Sequence, residues 1–250
     1  MTARVAALWR HPIKSHGREA LRAVTLSPGR TLPWDRRWAV AHQLSRAEPG
    51  AWAPCANFLR AAKVPALMAI TARSDIEAGV LTLSHPERPE LTFDPDRQAQ
   101  AFLDWVAPLM PPERAARPAR ILRAGAQGMT DTEFPSVSLV NLASGEDLAA
   151  RMGQPLSPLR WRANIHLAGL APWEERGWIG RRLRAGNAEL VVRAHIGRCL
   201  ATAANPQTGL RDADTLGALG AAFGHTEFGV YAEVLGGGTL AVGDGVDVLA

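Results

Sequence analysis

The sequence predicts a β-rich α+β protein with a few short helices, and three observations favour this class. Short apolar runs ended by proline or glycine fill the chain through about residue 94. A later stretch, AELVVRAHIGRCLATAA, alternates between apolar and polar residues. The final stretch, FGVYAEVLGGGTLAVGDGVDVL, is punctuated by glycines that are typical of strand connections.

The first part of the chain contains five predicted strands and two predicted helices. The strands are predicted in RVAALWRHP, AVTLSPGR, LPWDRRWAVAH, GVLTLSH and ELTF, with the last two forming a hairpin. A short helix is predicted in CANFLRAAKVP, where it stops near Pro65. A second helix is predicted in DPDRQAQAFLDWVAPLM, with Asp94 or Asp96 as its N-cap.

A proline-rich stretch, PLMPPERAARPAR, separates the two parts of the chain. Proline at this density continues neither a helix nor a central strand. We therefore place a domain boundary near residues 108–118 and predict one domain over residues 1–107 and a second over residues 119–250.

The second part begins with a predicted strand that runs into a helix, SVSLVNLASGEDLAARMG. Ser144 and Asp147 resemble a capping box at the start of this helix, and Gly153 is its predicted C-cap. Another strand is predicted in RWRANI, followed by the alternating strand around His195, a helix in DADTLGALGAAF, and at least two strands in the tail.

Composition excludes several functional classes. The net charge of +4, from 28 basic and 24 acidic residues, is too small to indicate a nucleic-acid-binding protein, but it is compatible with a local anion pocket rich in arginine. The sequence lacks a P-loop pattern and a GxGxxG between a strand and a helix. The N-terminus lacks a signal-peptide pattern and no apolar run is long enough for a membrane span, so we predict a cytoplasmic protein.

The chain has two cysteines, Cys55 and Cys199, and no Cys-x-x-Cys pair. This pattern gives no support to a zinc ribbon or a thioredoxin-type site. Disulfides are rare in the cytosol, so we predict that both cysteines are free thiols.

Cys199 lies near the end of the alternating strand, where alternation places it with Arg193 and His195 on the polar face. His195 stands four residues away, roughly 13 Å along a strand, which is too far for a hydrogen-bonded Cys–His pair. The neighbouring Arg198 favours a thiolate, a soft ligand suited to a redox metal. Two interpretations remain open on the residues alone: a thiolate ligand, or a small buried core residue.

The RWRANI stretch offers a second candidate site. Arg160 and Arg162 would share one strand face, with Asn164 two residues further on. Two cations and an amide suit a phosphate or a polar heterocycle, whereas the alternative is a solvated strand face. Near the start of the chain, HPIKS and WDRRW add basic residues that, taken alone, indicate only surface charge.

Taken in order, these motifs resemble the MOSC family in its two-part form, a MOSC N-terminal β-barrel domain followed by a MOSC domain. The mitochondrial amidoxime-reducing component and its bacterial relatives have this form. The resemblance is carried by HPIKS, WDRRW, CANFLRAAKVPALMAI, FPSVSLVNLASGEDL, RWRANI, WEERGW, GRCLATAANPQTG, FGVYAEV and VGDGVDV. It implies two β-barrels with the molybdenum cofactor (Mo-molybdopterin) held in the cleft between them.

The resemblance also implies a role for individual residues. Cys199 matches the cysteine whose thiolate binds molybdenum. The implied contacts to the cofactor are Lys14, Ser15, Arg36, Asn141, Ser144, Arg162, Asn164, Arg198 and Tyr231. The chain departs from the family pattern at His16, at Ala163 and in the stretch AHQLSRAEPGAWAP.

The implied activity is molybdenum-dependent reduction of small N-hydroxylated compounds. The sequence shows no flavin motif, and two cysteines are too few for a four-cysteine iron–sulfur cluster, so electrons would come from a separate donor protein. The alternative is a protein that binds, carries or sulfurates the cofactor without redox chemistry.

Overall fold

Fifteen strands and three α-helices are present in the part of the chain that the structure, a computed structural model, describes: residues 3–113 and 116–249. The strands are β1 (Ala3–Arg10), β2 (Glu19–Leu21), β3 (Ala23–Leu26), β4 (Trp38–His42), β5 (Thr71–Asp75), β6 (Val80–His85), β7 (Arg88–Phe93), β8 (Pro118–Arg123), β9 (Val137–Asn141), β10 (Ile165–Ala168), β11 (Arg182–Ala185), β12 (Ala188–Gly197), β13 (Glu227–Gly236), β14 (Gly238–Ala241) and β15 (Gly245–Val248). The helices are α1 (Ala99–Val106), α2 (Leu142–Met152) and α3 (Thr215–Phe223). The predicted β-rich class is confirmed.

Seven strands form a closed barrel in the order β1-β10-β9-β13-β12-β11-β15. The ring closes because β1 pairs with both β10 and β15. Inward-facing apolar side chains such as Val5, Leu139 and Val230 are fully buried and form one core cluster. Closure leaves these strands without an exposed hydrogen-bonding edge.

The N-terminal strand thus completes a barrel that is otherwise built from residues 137–248. β3 also pairs with β14, so the first and last parts of the chain share two sheets. This interleaving brings residues 11–16, which directly follow β1, against the C-terminal part. The predicted boundary near residues 108–118 includes residues 114 and 115, which lie outside the described residues.

The barrel contains one parallel pair, β9 with β10, and this pair determines where α2 lies. Parallel neighbours need a long connection, which here contains α2. The helix begins directly after β9, because the last residue of that strand, Asn141, is its N-cap and accepts a hydrogen bond from the amide of Ala143. The helix ends at its C-cap, Gly153, which has a left-handed backbone conformation. Gly153 confirms the predicted C-cap, but the predicted capping box at Ser144 is wrong, since Ser144 lies inside the helix.

The N-terminal part adds a sheet of β5, β6 and β7 and a ladder of β4 with β8. The predicted β6–β7 hairpin is confirmed. A second core joins Trp38 and Phe93 of these strands and Phe102 of α1 to Ala204 of the C-terminal part. This shared core fixes the two parts of the chain against each other.

Two local predictions in the N-terminal part are wrong. CANFLRAAKVP forms only a 3-10 turn at Cys55–Asn57, because Phe58 bridges to Ala41 in an extended conformation. Helix α1 has Gln98 at its N-cap without a side-chain cap, and the Asp94 carboxylate accepts from the amide of Asp96 instead.

No helix in the described ranges is long and apolar enough to cross a membrane.

Candidate functional site

A cavity of about 290 Å³ lies where the segments after β1 and around residue 60 meet the barrel strands. Its lining carries six cations: Lys14, Arg36, Arg60, Arg160, Arg162 and Arg198. Asp131 is the one acidic residue among the described residues that line it. The cavity is therefore strongly positive, and it suits an anionic ligand.

Three residues of the lining hold left-handed backbone conformations that side chains other than glycine rarely adopt. The φ angles are 64° at Ser15, 47° at Arg36 and 47° at Arg162. Such conformations cost about 1–3 kcal/mol each and persist at sites where the surrounding structure imposes them. The strain is concentrated on residues that the sequence predicted as cofactor contacts.

The predicted strand through RWRANI is wrong in its first half. Pro158–Trp161 forms a 3-10 turn that ends at the left-handed Arg162, and β10 begins only at Ile165. Arg160 and Arg162 therefore do not share a strand face. The turn sends the two guanidinium groups to different partners.

Arg160 is bound to the segment that follows Cys199. It donates to the carbonyl of Ala203 at 3.2 Å and to the Asp212 carboxylate at 2.5 Å. Arg162 donates Nη2 to the carbonyl of Gly17 at 3.1 Å, while its buried Nη1 has no partner among the described residues. Burial and the nearby Arg36 lower the pKa of Arg162 to about 9, so it remains a cation with a free donor at neutral pH.

Asn164 connects the walls of the site without lining the large cavity. Its Oδ1 accepts from the Ser138 hydroxyl at 2.8 Å and from Arg36 at 3.3 Å, and its Nδ2 donates to the carbonyl of Trp9 at 3.1 Å. It lines a smaller adjoining cavity of about 10 Å³ together with Arg36 and Tyr231. Asn164 therefore positions Arg36 and Ser138.

Arg36 is held by groups from both parts of the chain. It donates to the Asp35 carboxylate at 2.5 Å and to the carbonyl of Arg162 at 2.9 Å. Asp35 in turn accepts from the amide of His11 at 2.7 Å. These bonds fix the guanidinium at the junction of the two cavities.

Lys14 and Cys55 belong to the N-terminal wall, which is the lining contributed by residues 14–62. Both are bound to Asp131 of the C-terminal part, so the three residues form a connected group. The Lys14 ammonium donates to the carbonyls of Met129 and Thr130 and pairs with the Asp131 carboxylate. Desolvation in the cavity opposes ionisation of Asp131, but Lys14 and the Cys55 thiol hold its pKa below the usual range.

The Cys55 thiol donates to Asp131 at 2.9 Å, and burial together with that carboxylate raises the pKa of Cys55 to about 11. Cys55 therefore remains a protonated thiol at neutral pH. Sequence reasoning missed Cys55, Arg60 and Asp131 as lining residues. Cys55 and Arg60 lie in CANFLRAAKVPALMAI, which carries the family resemblance but was assigned no contact to the cofactor.

Cys199 lies on the C-terminal wall, which is the lining contributed by residues 131–231, two residues beyond the end of β12. The predicted alternation does not extend to it: Arg193 pairs with Glu233, and His195 contacts the carbonyl of Arg176. The Cys199 residue is exposed, which excludes the interpretation as a buried core residue. Both cysteines are free in this structure.

Arg198 anchors the backbone next to Cys199. It donates to the carbonyl of Phe228 at 2.5 and 2.8 Å and to that of Trp161 at 2.8 Å, beside the stacked rings of these two residues. Burial lowers the pKa of Arg198 to about 10, which leaves it cationic at neutral pH. The Arg198 side chain thus belongs to the residue that directly precedes Cys199 in the sequence.

The motif NPQTG holds the Cys199 segment against the N-terminal part. Arg18 donates to the carbonyl of Pro206 at 2.8 Å. Gly209 has φ 72°, and a Cβ there would lie 2.6 Å from the Cα of Ala66, so only glycine fits. The motif therefore holds the segment after Cys199 in contact with Arg18 and Ala66 of the N-terminal part.

Tyr231 lines both cavities from β13. Burial and the nearby Asp131 raise the pKa of its hydroxyl, so the hydroxyl keeps its proton at neutral pH. It is the single tyrosine of the chain.

Asn141 and Ser144 do not lie at the cavity. The Asn141 amide donates to Glu175 at 3.1 Å and to the carbonyl of Ala171 at 2.7 Å, and the Ser144 hydroxyl donates to Glu175 at 2.9 Å. Burial raises the pKa of the Glu175 carboxyl group. Asn141 and Ser144, which the resemblance implied as cofactor contacts, instead donate hydrogen bonds to the buried Glu175 carboxyl group.

No group of three or more His, Cys, Asp or Glu side chains in the described ranges could hold a metal ion by itself.

Fold and site together define a protein of closed-barrel architecture with a strongly basic cavity and one accessible thiol beside it. Two family models match this chain: the MOSC N-terminal beta barrel domain over residues 2–108 and the MOSC domain over residues 131–247. The chain belongs to the MOSC family, whose domains are in general associated with molybdenum cofactor binding.

Comparison with solved structures gives distant similarities. The YuaD protein from Bacillus subtilis is 15% identical with a TM-score of 0.47, and the match covers 99% of this chain and 96% of that one. The YiiM proteins from Geobacillus stearothermophilus and Escherichia coli are 20% and 16% identical, with TM-scores of 0.35 and 0.34. Each YiiM match covers 46% of this chain and 54% of the other. No curated protein matches the chain.

Proposed function

We propose that this protein binds the molybdenum pterin cofactor in the cavity and reduces small N-hydroxylated compounds there. The observation that carries the proposal is the presence, in one cavity, of the exposed Cys199 thiol and the buried Arg162 guanidinium, whose Nη1 lacks a partner in the described ranges. An unsatisfied buried donor is costly, and an anionic ligand would satisfy it.

The residues present fit such a cofactor. Arg162, Arg36 and Lys14 would hold its phosphate and pterin through charge-assisted hydrogen bonds. Ser15, whose left-handed backbone brings it to the lining, would contribute a hydroxyl. The predicted roles of Asn164 and Arg198 become indirect, because their side-chain donors are already bound to carbonyls of Trp9, Phe228 and Trp161.

Cys199 would be the protein's ligand to the metal. A thiolate suits molybdenum as a soft ligand, and the other ligands would come from the cofactor, since the described chain offers no further cluster of ligating side chains nearby. When bound, the cofactor would supply the two-electron redox chemistry.

The reduction of an N-hydroxylated compound consumes two electrons and two protons and releases the amine or amidine and water. Tyr231 lines the cavity and, because burial raises its pKa, keeps its proton at neutral pH, so it would donate a hydrogen bond to the N-hydroxyl oxygen. The two protons of the reduction would come from solvent. The electrons would come from a separate donor protein.

The test is to express the protein in a host that makes the cofactor and to quantify molybdenum, pterin and benzamidoxime reduction with a chemical donor. We expect stoichiometric molybdenum and measurable reduction in the wild type, and loss of both in Cys199→Ala. Bound cofactor without reduction would instead support the carrier function, and mass spectrometry would then show whether Cys199 holds a persulfide. Absence of molybdenum from the wild-type protein would overturn the cofactor assignment.

A further inference from the structure

Arg60 is a lining residue that no motif of the sequence assigns, and it differs from the other five cations of the cavity. It lies just after the extended Phe58, in a segment that is half-buried at this position. The other five are each bound to a carboxylate or a carbonyl. In the described part of the chain, the Arg60 guanidinium has neither an ion-pair nor a hydrogen-bond partner.

The Arg60 segment packs against the segment that carries Cys199. Arg211 donates to the carbonyl of Ala62 at 2.7 Å. Ala61 is buried in the same core cluster as Ala204, and Ala201 packs against that cluster. Arg60 therefore enters the cavity from a segment that packs against the residues following Cys199.

Arg60 comes from a different chain segment than Lys14, Ser15 and Arg36, which are assigned to the cofactor. Arg60 and Cys199 line the large cavity, as Lys14, Ser15 and Arg162 also do. The Arg60 segment differs because it contacts residues 201–211, which follow Cys199 in the chain. This packing places the Arg60 segment on the Cys199 side of the cavity.

The charges of the cavity leave Arg60 without an anion of the protein's own. Asp131, the one acid in the described lining, is already bound to Lys14 and Cys55. A guanidinium offers a planar fork of donors that matches a carboxylate or phosphate. Small side chains around it, Ala61, Ala62 and Ala201, leave room for the body of a ligand.

We propose that Arg60 selects substrates that carry an oxyanion, a carboxylate or a phosphate, at the end opposite the N-hydroxyl group. This inference rests on the proposed function, because it assumes that reduction takes place beside Cys199. The oxyanion takes no part in the chemistry: the N–O bond is reduced while the distal group stays unchanged and paired with Arg60.

The test compares matched substrates that differ only in the distal group. 4-Carboxybenzamidoxime, its 4-phosphono analogue and the neutral 4-carbamoylbenzamidoxime are reduced by wild type, Arg60→Gln, Arg60→Lys and Lys63→Gln. Lys63 is the matched control, since it removes the same charge from an exposed residue that does not line the cavity. Each variant is first checked for molybdenum content.

A charge-assisted hydrogen bond is worth roughly 1.5–3 kcal/mol, or about tenfold or more in affinity. We therefore expect the wild type to have a KM about tenfold lower for the anionic substrates than for the carbamoyl substrate, with similar kcat. Arg60→Gln should abolish this preference, Arg60→Lys should retain part of it, and Lys63→Gln should retain it fully. The carboxylate and phosphono arms distinguish the two oxyanions. Equal KM values for anionic and neutral substrates in the wild type, or loss of molybdenum in Arg60→Gln, would overturn the proposal.

A binding measurement keeps this test separate from the proposed activity. Calorimetric titration compares 4-carbamoylbenzoate with its neutral relative terephthalamide on wild type and Arg60→Gln. We expect Arg60→Gln to weaken only the carboxylate, by about tenfold. If the protein reduces no amidoxime, the proposed function fails, and the titration alone decides on Arg60: equal or undetectable binding of the two compounds would then overturn the inference.

Discussion

Cys55 and Cys199 line one cavity from the N-terminal and C-terminal parts of the chain, yet their surroundings give them different chemistry. Cys55 is half-buried and donates a hydrogen bond to the Asp131 carboxylate, and its pKa is raised to about 11. Cys199 is exposed and follows a buried arginine. The same residue type is thus a hydrogen-bond donor on one wall and a candidate thiolate ligand on the other.

The two walls also hold their cations differently. On the N-terminal wall, Lys14 and Arg36 are paired with Asp131 and Asp35. On the C-terminal wall, Arg162 and Arg198 are bound to backbone carbonyls, which carry no net charge. Arg162 and Arg198 thus keep charges that no carboxylate of the described residues neutralises, as Arg60 does on the N-terminal wall. This uncompensated positive charge favours a bound anion in the cavity.

The strongest test of this contrast is Cys199→Ser. We expect loss of molybdenum and of benzamidoxime reduction, because a serine hydroxyl stays protonated at neutral pH and is a harder ligand. Even groups that only support a metal ligand contribute roughly 10–100-fold to metal affinity, so loss of the ligand itself should exceed that.

The melting temperature of the cofactor-free Cys199→Ser variant should match that of the cofactor-free wild type, since an exposed side chain leaves no core cavity. Wild-type turnover in this variant would contradict the ligand assignment. A large drop in the melting temperature would show that Cys199 is a packing residue after all.

A second test compares two arginines of the C-terminal wall. Arg162→Ala should weaken cofactor retention about tenfold or more, because it removes a donor that has no partner in the described ranges. Arg160 also has a buried Nε without a partner in the described ranges, but both of its Nη atoms bind the protein itself, at Ala203 and Asp212. Arg160→Ala should therefore mainly lower the melting temperature. Metal analysis and thermal unfolding of both variants test these expectations. Equal cofactor content in the two variants would contradict the assignment of Arg162 as a cofactor contact.

The sequence predicted the β-rich class and some local features better than it predicted how the candidate site is arranged. The β6–β7 hairpin and the Gly153 cap follow from local sequence patterns, and both were predicted, whereas register shifts interrupt the predicted alternation of β12. The left-handed backbone at Ser15, Arg36 and Arg162 was not predicted, because long-range contacts impose it on residues that usually avoid it.

Asn141, Ser144 and Arg60 show the other limit of the sequence. The first two match a family pattern but serve Glu175, a partner about thirty residues away that no local pattern identifies. Arg60 lies in a stretch that carries the family resemblance but was assigned no role, and packing against the Cys199 segment brings it to the cavity. The roles of Asn141, Ser144 and Arg60 therefore depend on contacts with residues that are distant in the sequence.

A third test concerns the N-terminal wall and its pH dependence. His16 is buried, its Nδ1 contacts the carbonyl of Lys14 at 2.7 Å, and burial lowers its pKa to about 4. Between pH 6.5 and 4 the unfolded chain binds a proton that the folded protein does not, so stability is full above pH 6.5 and falls as pH falls through this window.

The shift corresponds to at most roughly 3 kcal/mol for this group. We expect His16→Gln to flatten the decline of unfolding free energy between pH 7 and 4.5, measured by denaturant titration. The partly exposed His42→Gln is the control. His11 and His166 also have pKa values lowered by burial, so some decline should remain in the variant. An unchanged slope would show that His16 is not buried in its neutral form.

The smallest expected effect is that of Cys55→Ser, which sharpens the contrast between the two cysteines. A serine hydroxyl is smaller than a thiol but still donates a hydrogen bond, so Asp131 and Lys14 should keep their arrangement. We expect molybdenum content and benzamidoxime reduction within about twofold of the wild type, since a proton-donating neighbour changes neither the charge nor the ligand of the C-terminal wall. Parallel metal analysis of Cys55→Ser and Cys199→Ser makes the comparison direct. If Cys55→Ser loses its molybdenum, then both thiols hold the cofactor, and the division of the cavity into a donor wall and a ligand wall is wrong.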